Sequence, residues 1–129
     1  MDTVSVAVEA PGWVLSVAGA RESARGFLAG LVPTLAPEAA AAVVLVVSEL
    51  VTNALRHGGG TFALDLTAYT DGVEVAVHDR SPRPPRMRTP DLAAGTGGFG
   101  WPMVNRLAHT TTVTPRQTGG KTVTALLAR

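Results

Sequence analysis

The chain has 129 residues, of which 46% are hydrophobic and 16% charged, and its formal net charge is +1. This composition excludes a disordered chain, and the length suits one domain with a single core. The absence of cysteine excludes disulfides and thiolate metal sites.

The N-terminal segment has no basic stretch followed by an apolar core, so no secretory signal is expected. No uninterrupted apolar run approaches the roughly 20 residues that span a bilayer. The sequence therefore predicts a soluble, cytoplasmic protein that does not contact a membrane.

The first half of the chain predicts one strand and two helices. Alternating valines predict a strand over residues 3–8. A first helix is expected from residue 16 or 17 to 31, although its glycines weaken the pattern. Pro37 and Glu38 suit the first turn of a second helix, which we expect to extend to Arg56.

The second helix carries the most informative pattern in the sequence. At helical spacing its apolar residues form one stripe: Val43, Val46, Val47, Leu50, Val51 and Ala54. Glu49 and Asn53 lie one turn apart on another face. Because burying an unpaired polar group costs free energy, these two side chains are either ordinary satisfied polar residues or part of a ligand site.

The middle of the chain predicts a β-hairpin followed by a long loop. Alternation predicts strands over 61–70 and 73–79, with Asp71-Gly72 as the turn between them. Residues 80–98 contain four prolines and four arginines and have no periodicity. A loop of this length in a compact domain is either a functional lid or disordered.

A third helix over 100–108 and two strands over 110–114 and 121–127 complete the predicted order. Strands and helices in this order suit an α+β two-layer sandwich. We expect a mixed, mostly antiparallel sheet with the helices on one face.

Several polar residues have a common use in a magnesium–nucleotide site. Asn53 supplies an uncharged oxygen for an octahedral Mg²⁺ shell that is otherwise made of phosphates and waters. Glu49 can accept a proton from an attacking hydroxyl or orient it. Asp79, at a strand end, can accept the exocyclic amine of adenine.

The glycine-rich segment and the basic loop suit the phosphates of the same ligand. Gly98 and Gly100 let the backbone approach phosphate, and the third helix then presents free N–H groups. Arginines of the loop, among them Arg86 and Arg88, can neutralise the charge of the β- and γ-phosphates.

Four segments resemble the N box, G1 box, G2 box and final-strand threonine of the GHKL ATPase/kinase superfamily, which has the Bergerat fold. They are SELVTNALRHG at 48–58, VHD at 77–79, GFGWPMV at 98–104 and GGKT at 119–122. The first also resembles the anti-sigma factor serine/threonine kinases. The resemblance implies one histidine kinase-like ATP-binding domain over 1–129, with a lid at about 80–98.

The resemblance implies ATP and Mg²⁺ as cofactors and assigns roles to the site residues. Glu49 would be the catalytic base, Asn53 the Mg²⁺ ligand and Asp79 the acceptor of the adenine amine. Thr122 would lie beside the adenine. Two glycines would hold the phosphates: Gly98 and Gly100.

The resemblance also implies partners. The protein would phosphorylate Ser or Thr of an anti-anti-sigma (STAS-type) protein, control a sigma factor and form a homodimer, as such kinases commonly do. However, Ser81 and Arg83 stand where the G1 box Asp-x-Gly-x-Gly has its glycines. This departure favours an alternative, a non-catalytic nucleotide-dependent switch or protein-interaction module.

A third class of function, in which the basic loop binds nucleic acid, is poorly supported. The near-neutral chain and the lack of aromatic residues among the loop arginines make a weak footprint for nucleic acid. We therefore expect no direct nucleic-acid contact.

Overall fold

The structure, a computed structural model, describes residues 2–8, 13–57, 60–81, 100–117 and 119–129. Side chains are described from residue 17 onward within these ranges.

The described chain contains five strands and three helices in the predicted order. They are β1 (Asp2–Val8), α1 (Trp13–Ala29), α2 (Pro37–His57), β2 (Phe62–Ala68), β3 (Gly72–Asp79), α3 (Gly100–Leu107), β4 (Thr110–Pro115) and β5 (Lys121–Ala128). Helix α1 begins earlier than predicted, because no glycine or proline separates Trp13 from the expected start.

The strands form one sheet in the order β1-β2-β3-β5-β4. Every described pairing is antiparallel, so the mixed sheet that we expected is replaced by an antiparallel one. The reason is the short turn between β4 and β5, which makes them a hairpin and inserts β5 between β4 and β3. The α+β fold with a helical layer on the sheet is confirmed.

The hairpin predicted at Asp71-Gly72 is also confirmed. Strands β2 and β3 are antiparallel neighbours, and the Tyr69 N–H donates to the Gly72 carbonyl oxygen at 2.7 Å. This turn aligns the two strands so that β3 ends at Asp79.

One face of the sheet is apolar and faces the helices. Leu64, Val77 and Val123 lie in register across β2, β3 and β5, and all three are buried. The next row along the strands repeats the arrangement: Leu66, Val75 and Ala125. Strict alternation therefore places every second residue of these strands in the core.

Helix α2 is the central core helix, and its predicted apolar stripe is confirmed. The buried residues of α2 are the six of the stripe: Val43, Val46, Val47, Leu50, Val51 and Ala54. Helix α2 contacts α1, α3 and the strands β2, β3 and β5. Full burial of a valine or leucine side chain contributes about 1.5–3 kcal/mol each, so α2 fixes the helical layer on the sheet.

Helix α2 is long and apolar enough, by length and composition, to cross a membrane. The packing of α2 explains its apolar composition in another way, because α1 and the sheet cover its apolar stripe. The core helix of a globular domain has the same composition.

Candidate functional site

Glu49 and Asn53 occupy one side of α2, next to the buried stripe. They lie four residues apart in a continuous α-helix, so one stands a turn above the other, as predicted. Both are half-buried, whereas their neighbours Leu50 and Ala54 are buried. The carboxylate and the carboxamide therefore lie at the rim of the core.

The Asn53 side chain has an unsatisfied polar atom. Its Nδ2 atom is buried and, among the described residues, has no hydrogen-bond partner. An unmade hydrogen bond of this kind costs about 1–3 kcal/mol. Rotation of the carboxamide by 180° exchanges its nitrogen and oxygen, so the position of Nδ2 can equally be occupied by Oδ1. An uncharged oxygen there fits the requirement of Mg²⁺.

Gly100 brings the N-terminus of α3 directly against Glu49. A Cβ atom added to Gly100 would lie 2.5 Å from Glu49 Oε2, which is closer than any real contact. The absence of a side chain at Gly100 therefore allows the first turn of α3 to approach the carboxylate. The positive end of the α3 dipole also lies on this side.

Asp79, at the end of β3, forms a buried ion pair with Lys121 at the start of β5. Lys121 Nζ lies 2.8 Å from Asp79 Oδ2, and the side chains are 6% and 3% exposed. The Ser81 N–H donates to Asp79 Oδ1 at 2.9 Å, and Lys121 Nζ donates to the Ser81 carbonyl oxygen at 3.3 Å. The ammonium and carboxylate charges thus compensate each other, and both groups are hydrogen-bonded.

Lys121 is the site residue that the sequence-based prediction missed. It is the single lysine of the chain, and it has the same strand phase as Val123 and Ala125, which are buried. A lysine at a core-facing position needs a buried carboxylate. Asp79, on the same phase of β3 as Val77, was the available partner, so the signal was present in the sequence.

Thr122 lies next to Lys121 on β5, and its place beside the adenine stays a prediction. Adjacent strand residues point to opposite faces of a sheet, so Thr122 points away from Asp79 and the helical layer. Its Oγ1 lies 2.7 Å from His78 Nδ1, and His78 Nε2 lies 2.8 Å from Asp65 Oδ2. In this structure the residue of β5 that contacts Asp79 is Lys121.

Three further predicted site residues lie outside the described residues: Arg86, Arg88 and Gly98. Their assignment to phosphate binding stays a prediction. So does the lid at about 80–98, apart from Arg80 and Ser81, which the structure describes.

The described residues thus form two groups on the helical side of the sheet. One consists of Glu49, Asn53 and Gly100 on α2 and α3, and the other of Asp79 and Lys121 at the ends of β3 and β5. No cluster of three or more His, Cys, Asp or Glu side chains that could hold a metal occurs among the described residues. A cation here would need ligand phosphates and waters to complete its shell.

A groove of about 640 Å³ lies elsewhere, between α1 and α2. It is lined by Arg21, Arg25, Leu28 and Leu45, among others, and by none of the predicted site residues. Its volume alone does not connect it with the chemistry of Glu49 and Asn53.

Sequence comparison defines the class of protein to which this fold and this site belong. Residues 14–127 match the profile of the histidine kinase-like ATPase domain, and the chain belongs to this family. The resemblance to GHKL proteins is therefore confirmed. Comparison with curated proteins gives no match.

Structural comparison agrees on the fold. The chain is similar to a crystal structure of the RsbU and RsbW domains of Rv1364c from Mycobacterium tuberculosis, with a TM-score of 0.69 and 20% sequence identity. The match covers 100% of this chain and 33% of the other, so this chain spans a third of the length of that structure.

Proposed function

We propose that the protein is a cytoplasmic ATP·Mg²⁺-binding regulator of the anti-sigma factor type. It transfers phosphate from ATP to Ser or Thr of an anti-anti-sigma (STAS-type) protein, controls a sigma factor and acts as a homodimer. The observation that carries the proposal is the pairing of Glu49 and Asn53 on α2 with Gly100 packed against the carboxylate. Membership of an ATPase-domain family supports ATP as the ligand.

Each of the site residues that the structure describes has one task in this reaction. Asn53 would hold the cation through its carboxamide oxygen, and Mg²⁺ would neutralise phosphate charge when bound. Glu49 accepts the proton of the attacking hydroxyl. The N-terminus of α3, which begins at Gly100, offers backbone N–H groups to phosphate.

Phosphate transfer from γ-labelled ATP tests the assignment of Glu49. The acceptor is the protein that co-purifies with this chain in an ATP-dependent manner. Glu49→Gln should lower the transfer rate by about 100-fold or more and leave ATP binding intact, because a general base contributes about 10²–10⁴-fold. The matched control is Glu38→Gln, which changes an exposed glutamate in the first turn of the same helix. Undiminished transfer by Glu49→Gln would remove Glu49 as the base.

The second candidate function is a nucleotide-dependent switch without transfer. It is favoured by the G1 segment, in which Ser81 replaces a glycine, and by the engagement of Asp79 with Lys121. Calorimetry separates the two functions. Binding of ATP without turnover or transfer supports the switch, whereas no binding at millimolar ATP with Mg²⁺ contradicts both.

A further inference from the structure

We propose that the groove between α1 and α2 binds a linear carboxylate amphiphile, such as a medium-chain fatty acid, with the carboxylate at Arg21. None of the residues on which the proposed function depends lines this groove, so the inference goes beyond that function and does not rest on it. The volume of the groove, about 640 Å³, lies within the range of about 300–1,000 Å³ that is typical of small-molecule sites.

The groove follows the two helices and is elongated. On α1 its lining extends from Arg21 to Ala29, and on α2 from Ala40 to Ser48, with the residues of each wall at helical spacing. At a rise of about 1.5 Å per residue, each wall is about 12 Å long. A linear ligand can therefore lie along both helices at once.

Polar and apolar groups are separated along the axis of the groove. A short linker joins α1 to α2, so the two helices lie antiparallel. Arg21 and Ser48 therefore lie at the end far from the linker, and Leu28 and Leu35 lie at the linker end, where the Thr34 hydroxyl donates to a backbone carbonyl. A fatty acid has the same separation along its length, whereas an amphipathic helix separates polar from apolar side chains across its axis.

Arg21 supplies the charge that a carboxylate needs. It is half-buried and, among the described residues, has no ion-pair partner. Arg25, one turn further along α1, already forms an exposed ion pair with Glu22. No aspartate or glutamate belongs to the described lining. An anion at Arg21 is favoured, because an unpaired charge is costly to bury and a guanidinium can bind a carboxylate through two parallel hydrogen bonds.

The α2 wall supplies the surface for the alkyl chain. Leu45 is 38% exposed, and Ala40, Ala41 and Val44 form the rest of its apolar side. An alkyl chain that covers these side chains removes apolar surface from water, which is favourable in proportion to the area covered. The groove thus combines an apolar wall with one cationic end, as a fatty acid requires.

Calorimetric titration of the protein without nucleotide tests the proposal with decanoate, decanol and decyltrimethylammonium, which share one alkyl chain. We expect decanoate to bind once per protein chain and decanol at least about tenfold more weakly, because only the carboxylate forms charge-assisted hydrogen bonds with Arg21. Decyltrimethylammonium should bind more weakly than decanol. Equal Kd values for decanoate and decanol, or no binding of decanoate, would overturn the proposal. Either result would leave the proposed function standing, since no nucleotide takes part.

Variants of the groove then separate the head-group contact from the alkyl contact. Arg21→Gln should weaken decanoate binding by at least about tenfold and leave decanol binding unchanged. Leu45→Ala should weaken both to the same extent. The control is Arg106→Gln, which removes the same charge from an exposed residue of α3 and should leave both unchanged. An undiminished preference for decanoate in Arg21→Gln, or an equal loss in Arg106→Gln, would overturn the proposal.

Two other occupants of the groove are outcomes of the same experiments. A dimer that Leu45→Ala dissociates, together with no decanoate binding, would overturn the proposal in favour of a second copy of the chain. Binding of an acidic amphipathic helical peptide that Leu45→Ala abolishes, again without decanoate binding, would overturn it in favour of a partner protein.

Discussion

The absence of a side chain at Gly100 determines how closely α3 can approach Glu49 on α2. The first turn of α3 reaches the Glu49 carboxylate because nothing occupies the Cβ position of Gly100. The atom that an added Cβ would meet is the end of a glutamate side chain, which can rotate away, and not backbone. A side chain at residue 100 should therefore move Glu49 without damaging the fold.

Gly100→Ala should leave stability nearly unchanged and lower phosphate transfer by at least about tenfold, because a misplaced catalytic group loses reach to its proton. Thermal unfolding and labelled-phosphate transfer measure the two effects separately. The control is Gly26→Ala on α1, where an added Cβ has no neighbour within 4 Å; it should stabilise the helix by about 0.5–1 kcal/mol and leave transfer intact. Full transfer by Gly100→Ala would contradict the role of this contact.

At the scale of the element, α2 has an apolar side that packs in the core and a polar side that carries Glu49 and Asn53. Its stripe binds the sheet and α1, and the adjacent side presents Glu49 and Asn53 at the rim. Packing of the stripe thus fixes the rotation of the helix about its own axis. The position of both polar groups depends on this rotation.

Leu50→Ala should destabilise the protein by about 2–5 kcal/mol, since it leaves a cavity at a residue that is 2% exposed. Leu45→Ala is the control on the same helix. Leu45 is 38% exposed and lies in the groove beside α1, so its truncation should cost far less. Urea denaturation measures both changes. Equal losses of stability would contradict the placement of the stripe in the core.

The sequence predicts elements with strong periodicity and leaves their pairing open. All six stripe residues of α2 are buried as predicted, because apolar spacing of a helix depends on local sequence alone. The Asp79–Lys121 contact joins residues of different strands, and it follows only from the β3–β5 register. A shift of one residue along a strand reverses the face, so Thr122 and Lys121 lie on opposite faces of β5.

At the scale of the whole molecule, the sheet and the helical layer bring distant segments to one side. Helix α2 contacts β3, β5 and α3, so Glu49 and Asn53 of α2 lie on the same side of the sheet as Asp79 and Lys121. Family membership agrees with this arrangement. The roles of Glu49, Asn53 and Asp79 stay predictions, and their spatial arrangement makes each of them testable.

Calorimetric measurement of ATP binding tests the central claim most directly. The measurement compares the unaltered protein with the variants Asn53→Ala and Thr52→Ala, each in Mg²⁺ and in EDTA. Thr52 is the half-buried neighbour of Asn53 on the same helix and provides the matched control. We predict Mg²⁺-dependent binding that Asn53→Ala weakens by about tenfold or more, with loss of the Mg²⁺ dependence, because that variant removes a metal ligand. Thr52→Ala should bind like the unaltered protein. ATP binding of equal strength and equal Mg²⁺ dependence in Asn53→Ala would contradict the account.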